Sequence, residues 1–309
     1  MSRARAPGAT ASGASANRSA SAPADVLAPL SEPSVSVVVT THAWDRYGAF
    51  RDAIRSVQRQ TYGDTELVCP IDADADMADA TRAIADGGVT VEYDPDGTGL
   101  SAARNRGARA ASGDVYAFLD DDCVASETWV ETLVAAFEDG AIAAGGPAVP
   151  DWPAERPWYV PREWDWLVGG GPYHDRECEV RNTYGCNLSV RADVFDALGG
   201  FDESFGKTGD LEQAEETEFC TRMRERYGEG VRYRPTASVR HRVFTEQLRV
   251  GHLLRRAYAQ GRAKRRIGLD DEETGFLRET LVNLARQPPH RSAATLAFTA
   301  ATGAGYLFG

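Results

Sequence analysis

Lysine is nearly missing from this chain. Lys207 and Lys264 are its only two; arginine supplies the rest of the 34 basic residues, against 46 acidic ones, for a formal charge of −12. A polyanion is repelled by such a surface unless a local basic patch compensates, which argues against general nucleic-acid affinity. An acid-rich, lysine-poor surface suits solubility in high salt, and a bias in genome composition gives the same arginine usage; the sequence leaves both open. Cysteine is scarce too. Cys69, Cys123, Cys178, Cys186 and Cys220 are odd in number and lack the paired short spacing that wraps zinc, so reduced, buried thiols are expected. No apolar signal-peptide centre interrupts the Ala/Ser/Gly/Pro-rich start, which predicts a disordered tail over 1–33. The terminal SAATLAFTAATGAGYLFG (292–309) is rich in Ala, Thr and Gly and near the minimum spanning length, so shallow insertion or a packed hairpin arm is expected rather than a membrane span.

What is present is an alternation of strand and helix patterns. SVSVVVTTH (34–42) is a β-branched run too short for a helix and reads as a buried parallel strand. Phe50, Ile54 and Val57 then recur at helical spacing between Tyr47 and Gln60. A strand opening at Thr65 breaks into the acidic loop of Asp72, Asp74 and Asp76. A helix over 77–86, a strand over 89–94, a helix over 99–112 and the strand of DVYAFLDDD complete the pattern. Such alternation implies a mostly parallel sheet with right-handed crossovers, whose ligands bind at the carboxyl ends of the strands. There the chain places Asp120, Asp121 and Asp122 in succession. Three adjacent carboxylates repel one another unless a cation is near, and hard oxygen ligands suit Mg²⁺ or Mn²⁺. The competing reading is a solvated turn before the helix of SETWVETLVAAF (126–137), which Ser126 alone could cap.

The stretches SVVVTTHAWDRYGAFRDAIRSVQRQTY, GTGLSAARNRGARAASGDVYAFLDDD, YGCNLSVRADVFDALGGFDESF and AEETEF, in that order, resemble family 2 of the nucleotide-sugar glycosyltransferases over roughly 34–245. WDWLVGG and EVRNTYGCNLSVR further resemble the archaeal glucosyl-dolichyl-phosphate glucuronosyltransferases of S-layer glycoprotein assembly. The resemblance implies an α/β GT-A fold, a Rossmann-like sheet flanked by helices, over 34–245, with a helical, membrane-associating extension over 246–309. It implies an inverting transfer of a sugar, glucuronate in the narrower resemblance, from a UDP-sugar to a glycosylated dolichyl phosphate, with Mn²⁺ or Mg²⁺ as cofactor.

Carried over by position, Asp72 contacts the uracil, although DADAD replaces the family's usual Asp-Asp-Gly-Ser and loosens the expected base preference. Arg104 lies near the nucleotide; read without the family, it is a surface arginine on an exposed helix face. Asp121 holds the ribose, Asp122 the metal, and Asp120 supports them. Glu216 stands where the family has its catalytic base, more often Asp, with Glu215 beside it on a donor or acceptor hydroxyl. Without the resemblance, EETE reads as an acidic first turn facing the positive end of the helix dipole. His241, in ASVRHRVF, is the second metal candidate, against a structural role. Asn187 is placed on the wall facing donor sugar and acceptor. For a glucuronate carboxylate the nearby cations are Arg181, Arg191 and Lys207.

Two further segments carry expectations. Trp152, Trp158, Trp164 and Trp166 crowd an aperiodic stretch over 151–173, read mainly as packing, with a lipid headgroup or sugar face as the alternative. Val250, Leu253, Leu254, Ala257, Tyr258 and Gly261 recur at helical spacing beside Arg249, Arg255, Arg256, Arg262, Lys264, Arg265 and Arg266. That basic amphipathic pattern predicts a membrane-surface helix; the alternative is a helix docked on the sheet domain. With no membrane span, a peripheral enzyme on the cytoplasmic membrane face is expected. A same-fold transferase using UDP-glucose and a non-catalytic nucleotide-sugar-binding scaffold are the remaining alternatives.

Overall fold

The computed structural model describes residues 27–41, 44–72, 74–84, 88–205, 214–268 and 288–309. Its centre is an eight-stranded sheet in the order β3-β2-β1-β4-β9-β6-β10-β8. The first half, β1 (Val35–Thr40), β2 (Thr65–Asp72), β3 (Thr90–Asp94) and β4 (Val115–Asp120), is parallel throughout. Helices α1 (Tyr47–Gln58), α2 (Ala75–Ile84) and α3 (Leu100–Ala110) make the crossovers. β5 (Cys123–Ala125) follows the triple aspartate and leaves this sheet for a smaller three-stranded one, of order β5-β11-β7. Helix α4 (Trp129–Glu138) leads to β6 (Ala143–Gly145) and β7 (Ala148–Asp151), and β8 (Cys178–Val180) follows. β9 (Leu188–Arg191) runs antiparallel between β4 and β6. After α5 (Ala192–Ala197) and α6 (Glu215–Tyr227), β10 (Val231–Tyr233) joins the main sheet and β11 (Val239–Arg242) the small one.

Alternation along β1 explains why the sheet is buried on both faces. Val35, Val37 and Val39 meet Phe50 and Ile54 of α1 with Trp129, Leu133 and Phe137 of α4. Val38 points the other way, to Phe118, Phe195, Phe201 and Phe219. Each such side chain contributes about 1.5–3 kcal/mol by leaving water, and that stability holds the carboxyl edge rigid. Residues 1–26 of the expected tail lie outside the described residues. Leu27 and Leu30 pack on the two cores, and Leu30 N donates to Phe137 O at 3.2 Å, so the packed body starts before Pro33. Ser126 does not cap α4: its hydroxyl is buried without a partner, and its carbonyl accepts from Trp129 N at 3.0 Å.

The last helices are α7 (Val250–Ile267) and α8 (Pro289–Phe308). Leu253 and Ala257 of α7 and Phe298 of α8 close a third core with Val160, Trp164, Leu167 and Val168. Leu253, Leu254 and Ala257 of the stripe read as membrane-facing therefore dock on protein, while Val250 and Tyr258 stay exposed. Trp164 is buried in that core, Trp152 and Trp166 pack beside it, and Trp158 alone of the four is exposed, at 57 %. Among the described residues no helix is long and apolar enough to cross a membrane.

Candidate active site

The carboxyl ends of β1, β2 and β4 open into a crevice of about 1260 Å³, larger than the cavities that hold one drug-sized ligand. Of the residues carried over for the base, the nucleotide and the metal, Asp72, Arg104, Asp120, Asp121, Asp122, Glu215, Glu216 and His241 line it, and Asn187 does not. β4 delivers the aspartates, and their environments differ. Asp121 accepts from Thr41 Oγ1 at 2.7 Å and lies 3.3 Å from Arg46 Nη1. Burial and the adjacent Asp122 push its carboxyl up to about 7, so these two carboxylates do not share the turn comfortably as anions. Arg46 Nη1 is also 3.3 Å from Asp122 and supplies positive charge to both. Asp120 pairs instead with Arg104, at 2.5 Å.

Asp122 Oδ1 lies 3.3 Å from His241 Nε2, brought in by β11, while Asp122 O accepts from Arg242 N at 2.8 Å. Gly169 backs the imidazole so closely that a Cβ there would come within 2.8 Å of the ring. Ligand atoms of Asp122, Cys123 and His241 all fall within 4.8 Å of one another, and His241 Nδ1 is buried without a partner. A carboxylate with an imidazole fits a divalent cation. The Cys123 thiol is held neutral, its pKa raised well above the ordinary value by burial, and is the weaker donor.

Across the crevice, Glu215 and Glu216 open α6. Glu215 Oε1 accepts from Arg104 Nη1 at 2.5 Å, so one guanidinium joins the acidic edge of β4 to the start of α6. Burial alone lowers the Arg104 pKa, but Asp120 and Glu215 outweigh it and hold the group charged. Arg104 is thus a buried tie and not the exposed arginine of the alternative reading. Glu216 has no such tie. Burial, then Glu215, push its carboxyl up to about 8, although backbone hydrogen bonding at the helix start and Arg104 act the other way. The helix-start reading and the site reading of EETE coincide in space.

Asp72, at the end of β2, accepts from Gly99 N at 3.1 Å and pairs with Arg106. Arg106 also reaches Asp94 at 3.1 Å. Arg181 donates from Nε to Asn182 at 2.8 Å on the crevice wall. Arg191 faces away, bonded to Asp193 and to Ala28 O, and Lys207 lies outside the described residues. Asn187 is set behind the wall. Its Oδ1 accepts from Trp129 Nε1 at 2.8 Å, and Nδ2 donates to Pro147 O at 3.1 Å and Ala237 O at 2.8 Å. A side chain so fully engaged is a strut, and no polar atom remains for a sugar.

Sequence reasoning passed over Thr41, Arg46, Arg106 and Arg256, all close to the crevice carboxylates. Thr41 and Arg46 had a signal, since both follow β1 at its ligand-binding end. Arg106 stands two residues beyond Arg104 in AARNRG.

Comparison with known proteins follows the same lines. Residues 36–199 match the glycosyl transferase family 2. The chain is 37 % identical over 301 residues to the glucosyl-dolichyl phosphate glucuronosyltransferase of Haloferax volcanii, covering 89 % of this chain and 96 % of that one. It is 31 % identical over 175 residues to the succinoglycan biosynthesis protein ExoM of Rhizobium meliloti, covering 54 % and 52 %. The mannosyltransferase PcManGT of Pyrobaculum calidifontis, solved with GDP-Man and Mn²⁺, superposes with a TM-score of 0.57 at 18 % identity, over 93 % of this chain and 91 % of that one; the likeness is one of fold.

Proposed function

This chain belongs to glycosyl transferase family 2 and is a glycosyltransferase of GT-A fold, and from that premise we propose that it moves a hexuronic acid, glucuronate, from a UDP-sugar to a glycosylated dolichyl phosphate, with inversion, in S-layer glycoprotein assembly. The donor half of this reading is supported by acidic residues at the ends of β2 and β4. Asp72, steadied by Arg106, faces the uracil, and Asp121 the ribose. Asp122 and His241 would hold Mn²⁺ or Mg²⁺, which neutralises charge developing on a diphosphate leaving group.

The carrying observation is Glu216. It is a buried carboxyl with a raised pKa across the crevice from Asp122 and His241, while its neighbour Glu215 is tied to Arg104. Glu216 takes the proton from the acceptor hydroxyl. As that oxygen bonds to the anomeric carbon from the face opposite the diphosphate, the sugar–phosphate bond breaks and its electron pair leaves with UDP. Proton, sugar and leaving group thus go to three different places. A lipid-linked acceptor supports reading the enzyme as a peripheral protein of the cytoplasmic membrane face, with the exposed edge of α8 as the proposed contact.

The test is turnover of purified protein with a panel of UDP-sugars and a glucosylated lipid phosphate, with and without Mn²⁺ or Mg²⁺. Glucuronate transfer that requires metal is expected. Glu216→Gln should abolish it while UDP still binds. Turnover retained in that variant would remove the base from the scheme, and transfer of glucose alone would remove the hexuronate.

A further inference from the structure

Helix α7 presents a polar line to the crevice. His252, Arg256, Gln260 and Lys264 stand four residues apart and all line it. Arg256, which the sequence placed in the basic flank of a membrane-surface or docked helix, faces the site. It differs from the arginines that stand among the strand-end carboxylates. Arg46, Arg104 and Arg106 each bridge two carboxylates. Arg256 makes no ion pair or hydrogen bond among the described residues, and its Nε is buried without a partner. Burial pulls its pKa down, and the carboxyl groups near enough to act the other way are Glu216, Asp122 and Glu215. Asp122 already has Arg46 and His241, and Glu215 has Arg104. The side chain is half-buried, with Nε sealed from water and no carboxylate paired to the guanidinium, a placement that favours an arriving anion.

We propose that Arg256 is the specificity residue for the donor sugar, its planar fork receiving the hexuronate carboxylate between Asp122 and Glu216. The inference rests on the hexuronate reading above. The position suits it, because the sugar in transfer must lie between the group that holds the diphosphate and the group that deprotonates the acceptor. Fork-to-fork pairing with a carboxylate also discriminates strongly against a neutral hydroxymethyl group, which would leave the guanidinium unpaired. Arg256 lies outside the segment that matches the family, residues 36–199. Donor choice would thus be set by the appended helix and nucleotide binding by the sheet.

The experiment compares wild type, Arg256→Gln and Arg256→Lys for kcat/KM with UDP-glucuronate and UDP-glucose, with UDP affinity measured by calorimetry and folding by thermal melting. For Arg256→Gln, kcat/KM with UDP-glucuronate should fall about 100-fold or more, with UDP affinity within about twofold of wild type and UDP-glucose turnover undiminished. Arg256→Lys should recover part of the preference. An equal loss with both donors overturns the assignment: with weakened UDP binding it makes Arg256 a diphosphate ligand, and with UDP binding intact a partner of Glu216. An unchanged donor preference overturns it as well. A wild type that turns over UDP-glucose but not UDP-glucuronate defeats the hexuronate reading itself, and this inference with it, a result separable from one in which only the variants disagree.

Discussion

Glu216 stores a conflict between stability and activity. Its pKa rises from an ordinary 4.5 to about 8 in the fold, so between those values the unfolded chain has released the proton that the folded chain keeps. Folding is therefore opposed increasingly as pH climbs through that window, by an amount on the order of a few kcal/mol at its upper end. Glu216→Gln should melt higher than wild type at pH 8, with the difference vanishing below about pH 4.5. Turnover has the opposite sense and should rise with pH toward a plateau above about 8, as the base loses its proton. The groups facing Glu216 are Glu215 on its own helix, Arg104 from α3, Asp120 from β4, Tyr184 and, from α7, Arg256. Asn187 is the contrasting residue. Asn187→Ala would leave the Trp129 indole and two carbonyls without their partner, at a cost of about 2–3 kcal/mol by chemical denaturation, with kcat/KM per folded molecule unchanged. The acidic residues at strand ends were legible because strand position fixes where a side chain emerges. The orientation of Asn187, Arg191 and Arg256 was not, because it depends on which neighbour each polar side chain finds after packing.

Among elements, the parallel half of the sheet could be read from β-branched runs and intervening helical spacing, and its observed ends differ by only a few residues. Helix α7 was legible as a helix, but its surroundings were not: an apolar stripe looks the same whether lipid or protein covers it. Contact with α8 decides the matter. A Cβ on Gly305 would meet Tyr258 O at 1.9 Å, and one on Gly261 would meet Thr302 O at 2.0 Å, so the two backbones cross in near contact. Gly303, on the same helix as Gly305, has nothing within 4 Å. Gly303→Ala should stabilise by about 0.5–1 kcal/mol through helix propensity. Gly305→Ala should destabilise by about 1–3 kcal/mol through overpacking. Urea titrations of the pair measure both, and the opposite signs distinguish the crossing from a general preference for alanine. Since α7 also carries Arg256, Gly305→Ala should blunt donor preference without touching the sheet.

For the molecule as a whole, charge and lipid pull in opposite directions. A net charge of −12 repels itself and any anionic membrane, and salt screens both, the Debye length falling from about 10 Å at 0.1 M to about 3 Å at 1 M. Thermal stability should therefore rise with KCl over that range. Some of the basic residues of α7 are engaged internally: Arg265 reaches the carbonyls of Leu307 and Gly309 at 3.1 Å, and Arg266 lies 4.0 Å above the Phe205 ring. Arg249 and Arg255 remain on the exposed surface, and Leu307 and Phe308 are 64 % and 80 % exposed. The proposed membrane binding would draw on two kinds of contact, which salt separates. Co-sedimentation with vesicles containing anionic lipid should be partly lost in Arg249→Ala/Arg255→Ala at about 0.1 M salt, where long-range attraction acts. At about 1 M the same double variant should behave as wild type, because only buried apolar area is left to hold the protein. Leu307→Ser/Phe308→Ser should reduce binding at both concentrations. Wild-type binding by the serine variant at high salt would show that the outer edge of α8 is not what touches the bilayer.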